Sequence, residues 1–169
     1  MSRRGRSGQS MVEFALLMPV LTLTIWGCID FGRWEQVRVS VANADRVATR
    51  FAVTNPTSWS SAAAPPSTSI EGQLQAIAQG ATIVNDDAHI TIAYYDTTTT
   101  TPTLCGQYSV SSGAWVKATG TSYTQSTCVT PGSLIKVTVT YTFRPSTPGI
   151  SQLMPSVTLT DTSQMVEEQ

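Results

Sequence analysis

The chain has 169 residues, of which 41% are hydrophobic and only 12% charged, about half the ~25% of an average soluble domain. This balance excludes a charged disordered tail and a polytopic membrane protein. The net charge is −1 and no basic stripe is present to neutralise phosphates, which argues against a nucleic-acid binder. The near-neutral total is unevenly divided, because residues 1–51 carry a net +3 and residues 52–169 a net −4.

An apolar segment of nineteen residues lies between Glu13 and Arg33, and its only charge is Asp30 near the far end. As a helix that rises 1.5 Å per residue, this segment is roughly 28 Å long, close to the ~30 Å hydrocarbon core of a bilayer. A core helix of a small domain rarely lacks a polar face over such a length. The segment therefore predicts a transmembrane helix over about residues 14–32.

Basic residues at the N-terminus predict the orientation of this span. Arg3, Arg4 and Arg6 precede it with no acidic residue among them, whereas the arginines that follow it are accompanied by Asp30 and Glu35. The positive-inside rule then places the N-terminus in the cytoplasm and the remaining chain on the extracytoplasmic side. We expect a single-pass protein of the cytoplasmic (inner) membrane.

Three interpretations of this N-terminus compete. A secretory signal peptide requires small residues shortly after the apolar run, and the nearest such pattern, at residues 42–44, lies too far downstream. A lipoprotein anchored at Cys28 would carry the bulky Trp26 where such signals normally have a small residue. Neither accounts for Glu13, since a carboxylate in an apolar run costs about 2.5–3.5 kcal/mol at mid-bilayer, less near the interface, and marks a candidate functional residue.

The third interpretation explains the glutamate. After a short basic leader, Gly8 is followed by QSMVEF, which resembles the class III signal of type IV pilin-like proteins. In that family a prepilin peptidase cuts after the glycine, so the resemblance implies cleavage between Gly8 and Gln9, with Glu13 fifth after the cut. A cut after Gly5 would place Ser10 fifth and leave no carboxylate at that position.

The wider run, GRSGQSMVEFALLMPVL with the later IDFGR, resembles the TadE-like minor pilins (pseudopilins) of tight-adherence (Tad, or Flp-type) pili. The resemblance covers about the first fifty residues, and the C-terminal strands only loosely. It implies a long helix carrying a globular head, a role in pilus assembly, surface attachment and biofilm formation, and possible incorporation into the extracellular pilus. The partners it implies are the Flp-type major pilin, a sister minor pilin, the prepilin peptidase, the membrane platform and the assembly ATPase. The alternative from another class is a single-pass, membrane-anchored extracytoplasmic binding domain that is never processed.

Helical periodicity continues beyond the span. Apolar residues recur at steps of three and four, which predicts one helix from near Ser10 to near Val53, kinked at Pro19. Asn55-Pro56 ends this helix. The predicted organisation is a leader over residues 1–8, the helix over 9–53, a linker over 54–69 and a head over 70–169. The apolar positions beyond the span are Phe31, Trp34, Val37, Val41, Ala44, Ala48 and Phe51.

The head is predicted to be α+β, with a small antiparallel sheet against the long helix. Thr68 and Glu71 have the spacing of a capping box, which predicts the start of a helix. The apolar stripe of this helix is Ile70, Leu74, Ile77 and Ala81. Alternation of apolar and polar residues then predicts strands. These are Ile90–Tyr95, a hairpin over Tyr108–Lys117, Ile135–Phe143 and a last strand over Val157–Thr160.

Three cysteines are present. Cys105 and Cys128 fall on the predicted extracytoplasmic side, where disulfides form, and a bond between them closes a loop worth roughly 3 kcal/mol in the chain-entropy model. Cys28 lies within the span and is interpreted as a small apolar membrane residue.

The sequence gives little support to an enzyme. His89 is the only histidine, so metal sites that need two imidazoles are excluded. The stretch Asp86–His89 is interpreted as a helix-to-strand turn with a surface histidine. Neither a G-x-S-x-G elbow, a phosphate loop nor a C-x-x-C motif is present. We expect a structural protein without catalytic residues, metal or cofactor.

Overall fold

The structure, a computed structural model, describes residues 6–167. Arg3 and Arg4 of the predicted leader and the last two residues of the predicted head lie outside the described residues. The architecture is α+β, as predicted: a long N-terminal apolar helix, three short helices and a five-stranded antiparallel sheet. The elements in chain order are α1 (Arg6–Thr54), α2 (Ile70–Ile77), β1 (Ile90–Asp96), β2 (Thr103–Ser109), β3 (Ala114–Lys117), α3 (Gln125–Cys128), β4 (Leu134–Phe143), α4 (Ile150–Leu153) and β5 (Val157–Val166).

The chain forms two compact units. The first comprises the residues up to Glu35 together with Phe143–Val157, and the second comprises Gln36–Thr142 and the residues from Thr158 onward. Helix α1 is a single helix that includes Pro19 and runs slightly beyond the predicted bounds at both ends.

In the second unit, α1 presents its small residues to the sheet. Val37, Val41, Ala44 and Ala48 are buried as predicted and share one core with the isoleucines and valines of β1 and β4. Alanines at steps of four allow a helix backbone to approach a sheet closely. Phe31 was expected on the same stripe, but it lies in the first unit and is 63% exposed.

The sheet has the strand order β3-β2-β1-β4-β5. The central strand β1 pairs antiparallel with β2 and β4, so that Ile92 lies opposite Tyr108 on one side and Val137 on the other. The predicted hairpin is present as β2 and β3. The last strand extends to Val166 rather than ending at Thr160. The expectation stopped there because Asp161 breaks the apolar alternation, although an edge strand tolerates a charge.

The predicted cap of α2 is wrong by one residue. Ser69, not Thr68, is the N-cap, and its hydroxyl accepts a hydrogen bond of 3.1 Å from the Gly72 amide. Glu71 therefore falls at the second helical position, where it cannot complete a capping box. Its carboxylate is buried instead, and it accepts a 2.9 Å bond from the Ser60 amide.

Candidate functional site

The first half of α1 is apolar and uncovered. Every residue from 8 to 26 is exposed, including large side chains such as Met11, Phe14 and Leu17. An 18-residue stretch of this helix has a mean hydropathy of 1.9, so by length and composition the helix can cross a membrane. A helix that is apolar on all faces needs lipid or other helices around it, which fits a membrane-anchored, pilin-like protein. The orientation of the span stays a prediction.

The predicted processing site lies in the first turns of α1. Gly8 is exposed, and a methyl group added there would have no neighbouring atom of the described residues within 4 Å. The next residue, Gln9, donates a 3.2 Å hydrogen bond from its side-chain amide to Oε1 of Glu13, one turn further along the helix. The carboxylate therefore lies on an exposed surface, on the same helix face as the residue that would become the new N-terminus. Cleavage after Gly8 and the assembly role of Glu13 stay predictions.

Asp30, the only charge in the apolar segment, is buried within the first unit. Its Oδ2 accepts hydrogen bonds of 2.8 Å from the Thr147 amide, 2.6 Å from the Thr147 hydroxyl and 3.0 Å from the Ser146 amide. Arg33 Nη1 lies 3.2 Å from Oδ1. Asp30 thus fixes the segment between β4 and β5 on this turn of α1, a role that sequence reasoning missed.

An open groove of about 310 Å³ adjoins this contact in the first unit. Gly27 forms part of its wall, and a methyl group added at Gly27 would lie 3.7 Å from Cδ1 of Ile150 in α4. Its other lining residues are apolar apart from the engaged Asp30, and they include Phe31, Trp34, Phe143 and Met154.

Cys105 and Cys128 form the predicted disulfide, which joins β2 to α3 with a Cα–Cα distance of 5.9 Å. Both residues are buried in the core of the second unit. Cys28 is a free cysteine on the exposed surface of α1.

Two buried carboxyl groups in the second unit have raised pKa values. Burial, with Asp161 as a nearby like charge, raises the pKa of Asp45 to about 7 against the opposing effect of Arg46. Among residues 6–167, neither oxygen of Asp45 has a hydrogen-bond partner. Burial likewise raises the pKa of Glu71 to about 7, despite opposing hydrogen bonds from Ser60 and Ser69. Asp45 lies four residues after Val41 and three before Ala48, so the apolar spacing of α1 already placed it on the buried face.

The predicted linker contains a tryptophan that packs on the sheet. Trp59 stacks on Tyr108 at a centroid distance of 4.8 Å, and its Nε1 donates a 2.8 Å bond to the Tyr94 hydroxyl. Tyr94 in turn donates to the Pro56 carbonyl. The composition of residues 54–69 predicted only a linker, because a single aromatic residue in a Ser/Pro-rich segment gives no periodicity.

His89 lies in the turn before β1, as predicted. Its Nδ1 is 2.6 Å from Oδ1 of Asp86, and although burial acts in the opposite direction, hydrogen bonds from His89 lower the pKa of that carboxyl. Among residues 6–167, no group of three or more His, Cys, Asp or Glu side chains is arranged to hold a metal ion. The absence of enzymatic activity stays an expectation.

The family model described as TadE-like protein matches residues 8–50. No curated protein matches the chain, and no solved structure matches it. The matched stretch begins at Gly8 and ends within α1, and it includes Glu13, Asp30 and Asp45. The resemblance read from the N-terminal motifs is therefore confirmed over this stretch, and it supports a protein associated with Tad pili.

Proposed function

We propose that this TadE-like chain is a minor pilin, which is trimmed after Gly8 and takes part in assembling a tight-adherence (Flp-type) pilus. The observation that carries the proposal is the uncovered apolar surface of α1, with the single carboxylate of Glu13 one turn after Gln9. Such a surface suits insertion into a bilayer and later packing among the helices of neighbouring subunits. The role is structural and supports surface attachment and biofilm formation.

The position of Gly8 favours processing. A peptidase has to open the backbone around the bond that it cuts, and the first turn of a helix lacks half of its internal hydrogen bonds. Glycine lowers helix stability further, by about 1 kcal/mol relative to alanine. The site is exposed, so prepilin peptidase, the partner that the resemblance implies, would reach it with little unfolding of α1.

Cleavage would give Glu13 a cationic partner. The new α-amino group of Gln9 lies one helical turn from Glu13, and the amine of a neighbouring subunit shifted along the bundle has equal access to the exposed carboxylate. Two unit charges 4 Å apart attract by about 4 kcal/mol at an effective dielectric constant of 20. A charge that stays unpaired among apolar helices is unfavourable. Pairing between subunits would therefore set their register in the assembling pilus.

The remaining proposed partners follow from the same family resemblance. They are the Flp-type major pilin, a sister minor pilin, the membrane platform and the cytoplasmic assembly ATPase. In this proposal the chain resides in the inner membrane with its N-terminus in the cytoplasm and the second unit outside.

Glu13→Gln tests the proposal, because it keeps the side-chain shape and removes the charge. We expect the variant to insert and to be cleaved, and yet to fail to support piliation when it replaces the wild-type protein in cells. Glu35→Gln is the matched control, since it removes another carboxylate from α1 outside the predicted span, and it should leave piliation unchanged.

Normal piliation with Glu13→Gln would refute charge pairing. Failure of cleavage with normal membrane insertion would instead show that Glu13 is a recognition element for the peptidase.

A further inference from the structure

The two turns of α1 from Gly27 to Trp34 hold a second segment of the chain. Asp30 accepts hydrogen bonds from the Ser146 and Thr147 amides and from the Thr147 hydroxyl. These bonds fix residues 143–157 at the outer end of the predicted span. A carboxylate at membrane depth is tolerated when protein groups satisfy it. Its partners here are backbone amides, a hydroxyl and the Arg33 guanidinium of the same chain, so the carboxylate is satisfied by protein groups.

The segment 143–157 is itself suited to a membrane surface. Arg144 is its only charged residue, and Met154 is 53% exposed. The groove that the segment forms with α1 is lined by apolar side chains, and its one carboxylate, Asp30, is already engaged. A polar ligand would thus find few hydrogen-bond partners, whereas an alkyl chain would find a matching surface.

On the assumption that α1 spans the membrane, as proposed above, we infer that the groove holds an acyl chain of an outer-leaflet phospholipid. In this arrangement the segment 143–157 lies in the interfacial layer, within about 5–10 Å of the boundary between headgroups and acyl chains. Arg144, which lies between the groove residues Phe143 and Pro145 in the chain, is exposed, and in this arrangement it supplies the positive charge of the segment to the lipid phosphate.

The surface of the helix favours lipid over other occupants. The uncovered apolar residues of α1 continue through Ile29 and Phe31, which are 51% and 63% exposed, directly to the groove wall. Trp26 and Trp34 lie about one helical turn before and one after Asp30, and aromatic side chains of this kind are enriched at the boundary between membrane and water. The groove is therefore continuous with the surface that the proposed span presents to acyl chains.

Spin labels on the full-length protein in vesicles of phosphatidylcholine and phosphatidylglycerol test this inference. Labels are placed singly at Met154→Cys, at Val20→Cys in the span and at Thr100→Cys in the loop after β1, each in a Cys28→Ser background. Accessibility to oxygen, which concentrates in lipid, is compared with accessibility to a water-soluble nickel complex.

We expect the label at position 154 to give an oxygen-to-nickel ratio several-fold above that at position 100 and close to that at position 20. A ratio at 154 equal to that at 100, with a lipid-like ratio at 20, would overturn the inference and leave the membrane anchor intact. A water-like ratio at 20 would instead refute the proposed span. Protection of position 154 from both reagents that disappears at low protein-to-lipid ratio would show a second copy in the groove and also overturn the inference.

Discussion

Asp45→Asn should stabilise the protein above neutral pH. The Asp45 carboxyl is fully buried in the second unit and has no hydrogen-bond partner in the part of the chain that the structure describes, and its pKa is raised to about 7 from an ordinary value of 3.8. The folded protein therefore binds this proton more tightly than the unfolded chain does. Stability from this group is fully present below pH 3.8 and is lost as the pH rises through 7.

The size of this stability difference follows from the difference between the folded and unfolded pKa values of Asp45. Each unit of pKa difference corresponds to 1.36 kcal/mol, so ionisation of Asp45 lowers the free energy of unfolding by up to about 4 kcal/mol above pH 7. An asparagine at this position resembles the protonated acid in shape and charge. The variant should match the wild type near pH 4 and exceed it at pH 8.

Urea unfolding of the full-length protein in detergent, followed by tryptophan fluorescence at several pH values, measures this difference. Asp161→Asn is the control, because it removes the neighbouring like charge from a half-buried position on β5 and should have a much smaller effect. The lowered pKa of Asp96 makes stability fall only at pH below about 4, outside the window used. Equal pH dependence of wild type and Asp45→Asn between pH 4 and 8 would show that the pKa of Asp45 is not raised in the folded protein.

Three further substitutions have expected outcomes. Cys105→Ser breaks the buried disulfide and should lower the free energy of unfolding by about 3 kcal/mol, measured by urea unfolding. Asp30→Asn replaces a charged hydrogen-bond acceptor by a neutral one, and each hydrogen bond to a charged group is worth about 1.5–3 kcal/mol. The substitution should therefore speed hydrogen exchange of the Thr147 amide by about tenfold or more. Gly72→Ala places a methyl group on backbone atoms of the preceding proline turn and should cost about 1–3 kcal/mol in thermal or urea unfolding.

Each of these variants has a matched control. Cys28→Ser, at the exposed free cysteine, should leave the unfolding free energy unchanged, and two alkylatable thiols at 105 and 128 in the native protein would contradict the disulfide. Glu13→Gln should not alter exchange at Thr147, and unaltered exchange in Asp30→Asn would show that Asp30 does not hold the segment. Gly32→Ala meets no neighbour and should be neutral or stabilising by up to ~1 kcal/mol. An equal result for Gly72→Ala would contradict the steric argument.

Local pattern predicted much of this fold. The alternation in Ile90–Tyr95 and Ile135–Phe143 reports which side chains face the core, and both strands are present with the expected faces buried. The recurrence of apolar residues at steps of three and four in α1 is likewise a pattern among residues close in sequence. The predicted N-cap of α2 was wrong because Thr68 and Ser69 are adjacent residues with hydroxyl groups. Only the backbone conformation decides which hydroxyl accepts the hydrogen bond from the Gly72 amide.

The contacts of the candidate site depend on long-range structure. Asp30 and Thr147 are 117 residues apart, and no periodicity relates them. The position of Trp59 on the sheet likewise needs Tyr94 and Tyr108 to be in place first. The burial of Asp45 is different, since its spacing from Val41 and Ala48 was visible in the sequence, and the residue was passed over because a charge usually marks a solvated face.

The N-terminal residue of the mature chain distinguishes a processed minor pilin from an unprocessed membrane anchor and from a lipoprotein. The protein is extracted from membranes of cells with and without prepilin peptidase, and its N-terminal peptide is identified by mass spectrometry. We predict a chain that begins at Gln9, with or without cyclisation of the glutamine, only in cells that have the peptidase. A chain that retains Met1 in those cells, or one that begins at Cys28, would contradict the minor-pilin proposal.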